Sequence, residues 1–226
     1  SDLLMKFAEV APGTFQHSLQ VSNLATEAAK KINANSLLVR TGALYHDIGK
    51  MKHPEYFTEN QVGGKNPLLS MKYEEAARII IEHVAHGIEI AKKNHLPDQI
   101  INFIATHHGT AKAKYFYVAF INENPGVKPD EKVFSYPGPL PSTKETSILM
   151  MADAVEARSR TLSEYTEESI DQMVEDIINT QIAEGQFKEA PISFRDVETV
   201  KKVLKEKIKN IYHSRITYPE IKTSEN

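Results

Sequence analysis

Tyr45-His46-Asp47-Ile48-Gly49-Lys50-Met51 stands at the C-terminal end of a helical pattern that begins at Ser36. Imidazole and carboxylate are adjacent there. Gly49 permits a tight backbone exit from the helix, and Lys50 sets a cation where a phosphate could be met. Alone, such a pair reads as a helix cap or a surface dyad. Its weight comes from the residues spaced around it. His17 lies one turn into an earlier helix, His83 and His107-His108 fall at the ends of later ones, and Asp153 sits among Met150, Met151, Ala152 and Ala154. A carboxylate in so apolar a stretch is costly unless it is paired or ligates a metal. Each histidine has a bland reading: His17 and His83 as surface or satisfied core residues, His107-His108 as a polar helix end. Together the five histidines and two aspartates exceed what one ion needs. They fit two ions sharing a bridging carboxylate, with the nitrogen and oxygen ligands that suit iron, manganese or zinc. Two such ions activate water and clamp a phosphate during in-line attack.

Working outward, the chain reads as helix almost throughout, an all-α fold. Thr14 is expected to cap a helix carrying Leu19, Leu24, Ala28 and Ile32, and Ser36 to cap the next. Breakers Pro54, Gly63, Gly64 and Pro67 make residues 51–69 a long loop, and a loop of that length in a compact domain is usually functional. Helices are expected from Ser70 to Glu82 and onward to His95, from Asp98 to Thr106, and over Ala111 to Asn122. Five prolines make residues 124–143 a second long loop. Ser142 or Thr143 caps a helix through Arg160, and two amphipathic helices follow, about Glu167–Glu184 and Ser193–Tyr212, before a polar tail after Ser214.

Composition narrows the class. The 226 residues are 41% apolar and 25% charged, enough for a real core in a globular protein. A formal charge of -3 gives no general attraction to polymeric nucleic acid or to an anionic membrane. Without cysteine, disulfides and thiolate metal sites are excluded and a cytosolic setting is the default. No apolar run approaches the ~20 residues that cross a bilayer. The chain opens on Ser1-Asp2 without an initiator Met, as an excised domain would.

The local wording carries a resemblance. Pro12-Gly13-Thr14-Phe15-Gln16-His17-Ser18, the Tyr45–Met51 stretch, Glu59-Asn60-Gln61 and Tyr136-Pro137-Gly138-Pro139 accompany the spaced ligand set. The chain resembles the HD-domain metal-dependent phosphohydrolases, and among them the PgpH-type cyclic di-AMP phosphodiesterases, the cytosolic HD domains of seven-transmembrane receptors. The likeness runs over essentially the whole chain. The Gly-Tyr-Pro signature of cyclic di-GMP-cleaving HD enzymes is missing from its expected place. The resemblance implies an all-helical HD fold with long active-site loops and C-terminal accessory helices. One domain over residues 1–226 is the economical reading of the chain's organisation, with its last helices, about 166–213, as an accessory hairpin. The resemblance implies two divalent transition metals, iron or manganese. One would be held by His17, His46, Asp47 and Asp153, the other by His83, His107, His108 and Asp47, with Asp47 bridging. His86, on the same helical side as His83, is the alternative that spacing leaves open; the resemblance favours His83. A membrane-embedded parent is also implied, with this domain at the inner face of the cell membrane. A homodimer is left open.

The implied reaction opens cyclic di-AMP to linear 5′-pApA, water attacking phosphorus in line and the ribose 3′ oxygen leaving. Asp47 and Lys50 are the expected catalytic residues, Lys50 offsetting charge on the phosphoryl oxygens. Lys50, Lys65, Lys112, Lys114, Arg158 and Arg160 are candidate phosphate contacts, though each also reads as a solvated surface charge. Tyr56, Phe57, Tyr115 and Tyr136 could stack on adenine, with core packing as the competing fate. His53 could touch substrate from the loop, whereas His95 and His213 read as surface residues. Rival activities on the same ligand set are a nucleotidase, a dNTP or (p)ppGpp hydrolase, an oxygenase and a non-catalytic cyclic-dinucleotide sensor.

Overall fold

In the computed structural model, residues 1–213 are described; the polar tail expected after Ser214 lies outside them. Nine α-helices form among the described residues, and no strand beyond an isolated Lys112–Ser135 bridge. Helix α1 (Asp2–Val10), which periodicity did not reveal, is capped by Ser1 and buries Phe7. Helix α2 (Pro12–Lys31) starts two residues before the expected Thr14 cap, because Pro12 is pre-organised for a first helical turn. Thr14 is thereby buried inside the helix, and its hydroxyl donates to Glu59 at 3.0 Å. Asn35, not Ser36, caps α3 (Ser36–Tyr45) by accepting from the Leu38 N–H.

The segment expected as a long loop is a string of short 3-10 turns, at Ile48–Lys52, Pro54–Tyr56, Thr58–Asn60 and Pro67–Ser70. Helix α4 (Tyr73–Lys93) runs unbroken through the expected end at Glu82, because apolar Ala76, Ala77, Val84 and Ala91 keep helical spacing across it. His83 is therefore mid-helix and not at a terminus. Helices α5 (Asp98–Thr106) and α6 (Lys114–Glu123) follow. Gly109, at φ +48°, turns the chain after α5. Residues 124–143 are tied back to the turn after α5, with Tyr136 N–H donating to Ala111 O at 2.8 Å and Ala113 N–H to Phe134 O at 2.7 Å.

Helix α7 (Lys144–Ser159) opens with a Thr143/Thr146 capping box and is buried on nearly every side. Helices α8 (Glu167–Ala183) and α9 (Phe194–His213) pack on it. Ile170 and Ile178 of α8 and Val200 and Leu204 of α9 share one apolar core with Leu24 of α2 and Leu149 of α7. The C-terminal pair thus closes the main core as well as extending it. No helix among the described residues is long and apolar enough to cross a membrane.

Candidate metal centre

Five helices bring the seven expected ligands together. His17 comes from the first turns of α2, His46-Asp47 from the end of α3, His83 from the middle of α4, His107-His108 from the end of α5 and Asp153 from the middle of α7. The apposition of α4 and the 3-10 turn Ile48–Lys52 that follows α3 depends on Gly49. A Cβ there would lie 1.8 Å from the His83 carbonyl oxygen and 2.5 Å from the Gly87 nitrogen, both backbone atoms. Gly49 is needed for that close approach, beyond the tight helix exit expected of it.

Hydrogen bonds to backbone carbonyls fix three rings. His46 Nδ1 donates to Ala43 O at 2.6 Å, His83 Nδ1 to Ile80 O at 2.6 Å and His107 Nδ1 to Ile104 O at 2.8 Å. A carbonyl can only accept, so each Nδ1 carries a proton and each Nε2 is turned inward, where a ring without a second proton presents a lone pair. His83 and His107 Nε2 then face each other across 3.2 Å, with Asp47 Oδ1 at 3.2 and 3.4 Å from them. The other Asp47 oxygen, Oδ2, lies 3.4 Å from His46 Nε2 and 3.7 Å from His17 Nε2. His17 Nε2 and His46 Nε2 also meet Asp153 Oδ1, at 2.8 and 3.5 Å. The ligand atoms form two groups, Asp47/His83/His107/His108 and His17/His46/Asp153, each within 4.8 Å. Asp47 offers one oxygen to each. His46 Nε2 and Asp47 Oδ1 are buried and have no hydrogen-bond partner. Convergent lone pairs and orphaned buried atoms are unfavourable without a cation. The donor set therefore fits divalent metal ions taking nitrogen and oxygen ligands.

The electrostatics agree. Burial would depress the His46 imidazolium, but Asp47 and Asp153 outweigh it and raise its pKa to about 10. Burial would raise Asp47 and Asp153, yet both are held well below the usual carboxylate range, Asp47 chiefly by Lys50 and His46, Asp153 by His17 and His46. Burial and the neighbouring imidazoles lower His107 and His108. A proton on His46 is thus the metal-free stand-in for a cation, and metal binding would release it.

Lys50 is mostly buried. Its Nζ lies 2.9 Å from both Asp47 Oδ2 and Glu59 Oε1, and 4.9 Å from the Phe57 ring centroid. Despite its burial, Glu59 is lowered to about 2 by Lys50. A cavity of about 370 Å³ opens on the centre, with Lys50, Asp153, Arg160, Gln181 and Gln186 among its walls. Beside it, sharing Thr58 and Glu59, runs a more apolar groove of about 610 Å³ containing Tyr56, Phe57, Leu68, Tyr115 and Phe116.

The expected substrate residues divide. Lys50 reaches the cavity. Arg158 turns to Thr161 and does not line it, whereas Arg160 does. Lys112 pairs with Glu131 at 3.5 Å and lies over Tyr117, outside the cavity walls. Lys65 is exposed, and Lys114 borders the apolar groove. Tyr136 is buried and stacked on His108, centroids 4.2 Å apart, which supports the ligand ring. His86 faces His53 and lines a separate cavity with Lys52 and Glu89, so His83 is the α4 residue at the centre. Glu59, Glu156, Gln181 and Gln186 escaped sequence reasoning. Their positions depend on which helix faces pack, and only the Glu59-Asn60-Gln61 wording hinted at one of them.

An all-helical fold enclosing paired His/Asp groups defines a class, and the HD domain model matches residues 14–158. The chain belongs to the HD domain family. It is 44% identical to the cyclic-di-AMP phosphodiesterase PgpH of Listeria monocytogenes over 97% of its length, and 39% identical to PgpH of Bacillus subtilis over 96%. It spans 30% of the length of each of these curated relatives. The crystal structure of the L. monocytogenes PgpH HD domain in complex with cyclic-di-AMP matches with a TM-score of 0.90 at 43% identity, covering 96% of this chain and 100% of that one.

Proposed function

We propose that this chain is the catalytic HD unit of a metal-dependent phosphodiesterase that hydrolyses cyclic di-AMP to linear 5′-pApA. The carrying observation is Asp47, whose two oxygens each face a separate group of imidazole nitrogens. One ion, iron or manganese, would be held by His17, His46, Asp153 and Asp47, and a second by His83, His107, His108 and Asp47. When bound, such ions supply an activated water and counter-charge for the phosphoryl oxygens. Lys50 has three donors and contacts two carboxylates, so one N–H remains for a phosphoryl oxygen. Its contact with Asp47 also fixes the bridging carboxylate. Arg160 takes the phosphate-contact role expected of Arg158, because it borders the cavity. Tyr56, Phe57 and Tyr115 give a base an apolar wall beside the centre.

The chain acts in this reading as one HD unit over residues 1–226, with the helices about 166–213 as its C-terminal hairpin. In a longer, membrane-embedded parent protein it sits at the cytoplasmic face of the cell membrane.

The test is chromatography of Mn²⁺-loaded protein with cyclic di-AMP, cyclic di-GMP, a dNTP, ppGpp and an RNA oligomer in parallel. Conversion of cyclic di-AMP to pApA, with little action on the others, is expected. Cleavage confined to a dNTP or ppGpp would replace the reading with an HD nucleotide hydrolase. Binding of cyclic di-AMP without cleavage would make the chain a sensor.

A further inference from the structure

His17 is held differently from the other inward-facing rings. His46, His83 and His107 give Nδ1 to backbone carbonyls, whereas His17 gives Nδ1 to the carboxylate of Glu156. Glu156 is 6% exposed and lies three residues after Asp153 on α7. That spacing puts both carboxylates on one helix face. They grip the two nitrogens of one imidazole, Asp153 Oδ1 at 2.8 Å from Nε2 and Glu156 Oε2 at Nδ1. Arg160, on the cavity wall, approaches the same Glu156 oxygen at 3.4 Å.

The two halves of the centre therefore differ in charge. The His17/His46 half has Asp153, the backing of Glu156 and the Asp47 oxygen that Lys50 also contacts; Arg160, partly exposed, offsets Glu156 only in part. The His83/His107/His108 half has three imidazoles and the other oxygen of Asp47. A carboxylate behind a ligating imidazole fixes its tautomer and raises its basicity, and buried negative charge strengthens the hold on a cation.

We infer that Glu156 is a positioning residue that holds His17 for metal ligation and, by its charge, makes the His17/His46/Asp153 site the tighter of two unequal ion sites. The inference rests on the metal-binding reading. The test is titration of metal-free protein with Mn²⁺, following the free ion by its electron paramagnetic resonance signal. Wild type is expected to show a tight and a weaker class of site. Glu156→Gln keeps an acceptor for the Nδ1–H but removes the charge, and should weaken the tight class about 10-fold; Glu156→Ala removes both and should weaken it about 100-fold. The weaker class should not move, and circular dichroism of the metal-free Gln variant should match wild type. Wild-type affinity in Glu156→Gln would overturn the inference, since a purely steric support survives the amide. Equal weakening of both classes would overturn it as well. Wild type that binds no Mn²⁺ would instead remove the metal-binding reading itself.

Discussion

Lys50 illustrates how one side chain serves both stability and chemistry. Its ammonium neutralises Asp47 and Glu59, two carboxylates that burial would otherwise drive toward protonation. Removing one member of a buried charge group leaves its partners uncompensated, which typically costs about 3–5 kcal/mol. Lys50→Met should therefore destabilise the metal-free protein by about 3 kcal/mol in urea unfolding. Adding Glu59→Gln should recover part of that loss, because the orphaned charge goes with it. Additive losses in the double variant would show that the two residues are not coupled. Turnover of the metal-loaded single variant should fall while its metal content stays, since no ligand atom has been lost.

At the scale of elements, the ligands are set by how closely helices approach. The turn after α3 lies directly on the backbone of α4, and Gly49→Ala puts a Cβ 1.8 Å from a carbonyl oxygen that cannot rotate away. Overpacking of this kind costs about 1–3 kcal/mol, and the shift should reach Asp47 two residues earlier. A lower melting temperature with reduced metal content is expected; wild-type values for both would mean the turn has slack. The α8–α9 contact has a pH signature. Glu175 on α8 binds Lys205 and Lys201 on α9, and those lysines lower it from 4.5 to about 2. A depressed carboxyl contributes stability that is fully present above 4.5 and is lost as pH falls toward about 2. The gap in urea midpoint between wild type and Glu175→Gln should close across that window and shrink in high salt, because the pair is partly exposed. A gap independent of pH would remove the ion pair as its cause. The sequence displayed these elements unevenly. Helices α5 and α7 to α9 were legible within a residue or two, because breakers and Thr caps bracket clear periodicity. Helix α1 and the unbroken run through His83 were not, since polar residues on an exposed face look like an ending until the packing partner is known.

Across the whole molecule, the ligand set was readable because metal chemistry restricts it to few residue types, whereas the cavity around it was not. The HD match ends at residue 158, yet Arg160, Gln181 and Gln186 beyond it form part of the cavity wall. Gln186 is fully enclosed and accepts from the Thr110 N–H at 3.1 Å, which ties the C-terminal hairpin to the turn that follows His107-His108. A lone amide in the turn after an amphipathic helix carries no sign of such a contact in the sequence. The same convergence gives the molecule its largest expected response to a single ligand. Without a cation, buried ligand atoms from α2, α3, α4, α5 and α7 crowd one another; a cation would join these five helices at a common point. An ion at about 100 times its dissociation constant adds about 2.7 kcal/mol to stability. For a protein of this size, that corresponds to a melting shift of about 5–10 °C per ion. Stripping with EDTA should lower the melting temperature accordingly and abolish hydrolysis, and Mn²⁺ should restore both. Restoration should be easier at higher pH, because His46 must first lose a proton whose pKa its carboxylate neighbours raise to about 10. Full activity and an unshifted melting curve in EDTA would mean that these ligands hold the fold together without a metal.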